Sequence, residues 1–214
     1  MTDPFAQAAL DRNDRYLRDA VEAFGLCPFA RQCRATGKLR RMVVPPGDQR
    51  ALLVAALTEL QATGDDDFEV ALVLMPAFGG PSAIFETLLR HCEADVTALL
   101  HAQGRKPACY AVVFHPDLPY AADQPHQLVG LLRRSPDPTV QLVRRSLLER
   151  VRGTHGEHRY VDIDAAPTLA AAMALAAALG TEAPLSDRIA RANLETFAAR
   201  GPELLTAITS ARQA

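Results

Sequence analysis

Apolar and polar positions change their spacing several times along the chain, and each change marks an element. Between residues 5 and 35, Leu10, Tyr16, Leu17, Ala20, Val21 and Phe24 recur at three- and four-residue intervals among Asp and Arg, the pattern of an amphipathic helix. Gly25 and Pro28 break it, because proline removes a backbone donor and crowds the preceding turn. Leu39-Arg40-Arg41-Met42-Val43-Val44 reads as a short strand stopped by Pro45-Pro46-Gly47. Asp48 is placed to cap a helix to Thr63, with Leu52, Leu53, Ala56, Leu57 and Leu60 on its apolar face.

Residues 68–75 form a second strand, apolar nearly throughout, as expected of a strand covered on both faces. Gly79-Gly80-Pro81 leads into a helix from Ser82 to about Gln103, and residues 108–114 form the third strand. From Pro116 to Pro138 prolines recur and periodicity is lost, which predicts a long irregular loop. A helix is predicted over Thr139–Arg152, then a short strand over Tyr160–Ile163 and helices over 167–179 and 184–212. This order implies an α+β fold: a small three- to four-stranded sheet with packed helices. Residues 1–214 read as one domain, with 165–214 its helical C-terminal extension.

At 49% hydrophobic and 22% charged residues the chain supports a full core, and a net charge of -2 offers no basic field for nucleic acid. The pairs Arg40-Arg41, Arg133-Arg134 and Arg144-Arg145 read as solvated surface. No apolar run reaches bilayer length, and Met1-Thr2-Asp3-Pro4 lacks a basic leader, so the expectation is a cytoplasmic protein without a membrane partner. Cys27, Cys33, Cys92 and Cys109 are then expected as thiols, and without a C-x-x-C pair they do not suggest structural zinc.

Three segments carry candidate chemistry. Phe114-His115-Pro116-Asp117 ends the third strand, where His115 could transfer a proton or ligate a metal and Asp117 could orient it. The plainer alternative is that His115 ends the strand by bonding loop backbone. Cys27 precedes Pro28 at the helix break, a place for a nucleophile or a haem ligand of the Cys-Pro kind, or for a small buried thiol. Arg133-Arg134-Ser135-Pro136 offers a planar fork for a carboxylate or phosphate, or a solvated turn before Thr139. The sequence has no G-x-S-x-G, H-E-x-x-H or G-x-G-x-x-G.

Taken in order, Leu26-Cys27-Pro28-Phe29-Ala30, Gly37-Lys38-Leu39-Arg40, Phe114-His115-Pro116-Asp117 and Arg134-Ser135-Pro136 resemble a bacterial family known as domain of unknown function 1415. The resemblance spans roughly residues 14–197, including Ile189-Ala190-Arg191-Ala192-Asn193-Leu194. The chain departs from the family pattern in having Arg133 for Asn, and Leu118 and Asp137 for aromatic residues, which points to altered polar contacts in the loop. The resemblance implies a family and no activity.

The leading expectation is an enzyme acting on a small, anionic molecule. His115 would serve as base or ligand, Asp117 as its orienter, Arg134 with Ser135 as anchor, and Cys27 as nucleophile or ligand. Haem is the leading cofactor candidate, which would make the enzyme an oxidoreductase. Cys27 or His115 would then hold the iron, Arg134 would face a propionate, Ser135 would be a further cofactor-binding residue, and Phe24, Phe29 and Phe114 would line the pocket. The competing expectation is a non-catalytic adaptor or regulatory module whose motifs only shape loops, with His115 and Arg134 diverging in space.

Overall fold

The computed structural model describes residues 3–27, 30–64, 66–121, 125–152 and 185–213. Helix α1 (Pro4–Tyr16) starts where the Asp3 carboxylate accepts from the Phe5 N–H at 3.0 Å, and it runs on into a π-helical segment, Leu17–Glu22. Gly25 ends that run at φ 62°, in the left-handed region where a side chain would be strained. Next come α2 (Ala30–Ala35), β1 (Leu39–Val43) and α3 (Gln49–Ala62). As predicted, Asp48 caps α3, accepting from the backbone N–H groups of Arg50 and Ala51. The chain continues through β2 (Val70–Leu74), α4 (Ser82–Ala102) and β3 (Cys109–Phe114).

Two sequence expectations fail after β3. The supposed irregular loop contains α5 (Pro125–Leu132), which buries Leu128, Leu131 and Leu132 at helical spacing. Residues Thr139–Arg144 are strand β4, not helix; only Arg145–Arg152, α6, is helical. β4 takes the extended form because it pairs on both sides, antiparallel to β2 and to β3. The expected strand at 160–163 and helix at 167–179 lie outside the described residues. The last helix, α7 (Leu185–Arg212), bends at Arg200 just before Pro202, where proline removes an intrahelical bond.

The sheet runs β1-β2-β4-β3, with β1 parallel to β2. β1, β2 and β3 therefore point one way, with β4 reversed between β2 and β3. All of β2 is buried. Ala71 and Val73 face Leu53, Leu57 and Leu60 of α3 and Phe85, Leu89 and Val96 of α4. Val70, Leu72 and Leu74 face Tyr16, Leu17 and Val21, together with Leu128 and Leu131 of α5 and Leu204 and Ile208 of α7. The molecule is thus a mixed sheet between two helical layers, an α+β arrangement. Among the described residues no helix is long and apolar enough to cross a membrane.

One buried charge holds an edge of this frame. Arg144, 1% exposed, donates to the carbonyls of Phe68, Thr63 and Gly64 and lies 3.9 Å over the Phe68 ring. It is a clamp on the α3–β2 turn, not a solvated surface charge.

Candidate functional site

The carboxyl ends of the three like-directed strands meet a set of short loops, the place where open sheets bind ligands. Backbone bonds join these loops: Met75 N–H to the Pro138 carbonyl at 2.8 Å, and His115 N–H to the Arg133 carbonyl at 3.0 Å. Here stand most of the residues the sequence singled out.

His115 is 2% exposed, and both its ring nitrogens are engaged. The Asp117 N–H donates to Nδ1 at 3.1 Å, so Nδ1 carries no proton and Nε2–H is the donor to the Gly80 carbonyl, also at 3.1 Å. The ring rests near Phe78 and Phe85, at centroid distances of 6.4 and 5.7 Å. Burial lowers its pKa, opposed by the Gly80 bond and by Asp117. His115 is folded as a neutral clamp between the β2–α4 and β3–α5 loops.

Ser135 and Arg134 are partly committed in the same way. The buried Ser135 hydroxyl donates to the Asp137 carbonyl at 2.5 Å, fixing its own turn. The Asp137 carboxylate takes two bonds from Arg12 of α1, at 3.1 and 2.9 Å. Arg134 Nε donates to the Leu118 carbonyl at 2.8 Å, and its guanidinium lies 4.8 Å from the Tyr120 ring centre. Arg134 and His115 therefore grip one loop from two sides without touching each other.

Cys27 does not join His115. It lies in the turn between the π-helical segment and α2 and packs against the α1, α5 and α7 layer, whereas the His115 ring lies against phenylalanines of the α3 and α4 layer. Phe114 sits on the sheet face opposite Val113 and is half-buried, so it does not share a pocket wall with the His115 ring. Phe29 lies outside the described residues. Haem fits this arrangement poorly: His115 offers iron no lone pair, and its ring is in a different layer from Cys27.

What gathers instead is a group of cations around Tyr16. Its hydroxyl donates to the Leu132 carbonyl at 2.9 Å, and burial raises its pKa, as does Cys27, while Arg212 and Arg133 lower it. Arg133 is half-buried, and among the described residues its guanidinium makes no hydrogen bond or ion pair. Burial lowers its pKa. Arg212, at the end of α7, donates to the Pro116 carbonyl and keeps a buried Nε with no partner. Its pKa is lowered by burial and then by Arg134, with Asp117 opposing. Asn13, 3% exposed, adds an Oδ1 without a partner. It lies on α1 between Arg12 and Tyr16, both of which reach the 132–137 segment.

The sequence profile described as "Protein of unknown function (DUF1415)" matches residues 8–171. The chain belongs to that family. The DUF1415 match takes in Asn13, Tyr16, Cys27, His115, Arg133 and Arg134, while Arg212 lies beyond it. No curated protein and no solved structure matches the chain.

Sequence reasoning missed Tyr16, Asn13 and Arg212. An Asn within the apolar stripe of α1 was the available signal for Asn13. Nothing local could signal Arg212, which reaches the site from the far end of the chain.

Proposed function

We propose that the protein binds a small anionic molecule, a carboxylate or phosphate, among Arg133, Arg134, Arg212 and Tyr16. Cys27 is the nucleophile beside this site, so the reading extends to a thiol-dependent enzyme acting on that anion. The observation that carries it is Arg133, a desolvated guanidinium with no carboxylate or carbonyl among the described residues to balance it. A charge held that way costs stability unless something pairs with it, and a planar fork suits a carboxylate or phosphate. Asp117 is a carboxylate that opposes Arg212, and among the described residues the cations are in excess. His115 then holds the loop that carries Asp117 and is not the proton-transfer group.

A second reading, a non-catalytic module, draws support from one observation: His115, Ser135 and Arg134 all bond loop backbone. Melting the whole chain at low ionic strength with inorganic phosphate, pyrophosphate or citrate separates the two. Anion binding raises Tm, and added salt weakens the effect. It also slows alkylation of Cys27, and Arg133→Gln weakens it about tenfold or more. An unchanged Tm with every anion, or equal binding by Arg133→Gln, would overturn the proposal and favour the non-catalytic module.

A further inference from the structure

At the opposite end of the sheet, the start of β3 and the end of β4 enclose a second site with α3 and α4. It is a cavity of about 150 Å³ whose lining includes the apolar Leu57, Val96 and Leu142 and the polar Gln61, Glu93 and Arg145. Six residues of β3 separate it from His115, so it stands about 20 Å from the arginine group.

Its polar groups are held in place, and one buried donor among them is unsatisfied. Gln61 is 7% exposed, and its Oε1 accepts the N–H groups of Ala108 at 2.7 Å and Cys109 at 3.1 Å. Those two bonds fix which end of the amide is which. They leave the Nε2 group as the donor end of the amide, in a residue that lines the cavity. Arg145 lies 3.7 Å from the centre of the Tyr110 ring, and its Nε is buried without a partner. Glu93 stands at the rim within electrostatic reach of Arg145, yet among the described residues the two form no ion pair. The unmet Arg145 donor and the amide donor of Gln61 suit an oxygen acceptor, and the Glu93 carboxylate, without an ion pair among the described residues, suits a cation.

We infer that this cavity binds a small aliphatic α-amino acid. The ligand carboxylate meets Gln61 Nε2 and Arg145 Nε, the ammonium meets Glu93, and the side chain enters the apolar end. A cavity of this size holds a ligand of about six to eight non-hydrogen atoms, since benzene fills a comparable one. Alanine and valine fit that limit, and tryptophan exceeds it.

The test is calorimetric titration of the whole chain with valine, with isovalerate, which lacks the ammonium, and with isobutylamine, which lacks the carboxylate. Valine binds, and each of the other two binds about tenfold or more weakly. Glu93→Gln, an exposed change that leaves the fold intact, weakens valine about tenfold and leaves isovalerate unchanged. Gln61→Glu, which keeps the acceptor but removes the donor, weakens both valine and isovalerate. The inference is overturned if alanine and valine give neither heat nor a Tm shift at about 10 mM. Isovalerate binding as tightly as valine, or Glu93→Gln binding valine like the wild type, would also overturn it.

Discussion

Replacing His115 with alanine tests whether this residue is a clamp. The change removes the Nε2–H bond to Gly80 and the acceptor for the Asp117 N–H, each worth about 1 kcal/mol. It also removes ring contacts with Phe78 and Phe85, worth about 1 kcal/mol more. The expected loss is about 3 kcal/mol in urea denaturation at pH 7.5, somewhat more if the cavity does not close. The loss depends on pH with a definite sign. Burial holds the folded imidazole below its ordinary pKa of 6.5, so the unfolded chain takes up the proton first. This contribution is complete above pH 6.5 and fades as pH falls towards the folded pKa. The gap between wild type and His115→Ala should therefore shrink at pH 5.5, by up to about 1.4 kcal/mol. A gap that stays constant would mean a folded imidazole that titrates like the unfolded one, and a gap that widens in acid would mean one that protonates first; either result would refute the clamp.

Two further substitutions probe the frame that carries the site. Arg144→Met removes three bonds to the Thr63, Gly64 and Phe68 carbonyls and the stack on Phe68, so the urea midpoint should fall by the equivalent of about 3–5 kcal/mol. Arg144→Lys should not restore it, because an ammonium cannot span those acceptors as a fork does. Gly130→Ala drives a Cβ into the Pro119 carbonyl, which should cost about 1–3 kcal/mol in the same assay.

Much of the first half of the fold was legible because its signals were local. The Gly25 break, the Asp48 cap and the wholly apolar run of β2 each need only a few neighbouring residues. β4 was not legible. Val140, Val143 and Leu147 recur at intervals of three and four, a spacing that suits a helix, while Val140 and Leu142 share one face of a strand. Pairing with β2 and β3, both distant in sequence, decided between them. α5 was hidden by the prolines around it, although Leu128, Leu131 and Leu132 carried its period. The site was legible in part. His115 falls at the end of β3 as expected, but the partners that occupy its ring, Gly80 and the Asp117 amide, are backbone groups that no side-chain motif reveals. Arg133 and Arg134 were visible as a pair, whereas the excess of positive charge becomes apparent only once α1 and α7 bring Tyr16 and Arg212 from opposite ends of the chain.

The reversed strand β4 also dictates an order of assembly. β1 and β2 can pair as soon as both exist, but β3 has no neighbour in the sheet until Thr139–Arg144 arrives and slots between it and β2. During synthesis β3 therefore waits with both edges open, a form prone to join the wrong strand. β4 is the keystone of the sheet, and a chain halted before Thr139 would expose an aggregation-prone strand instead of a smaller version of the same fold.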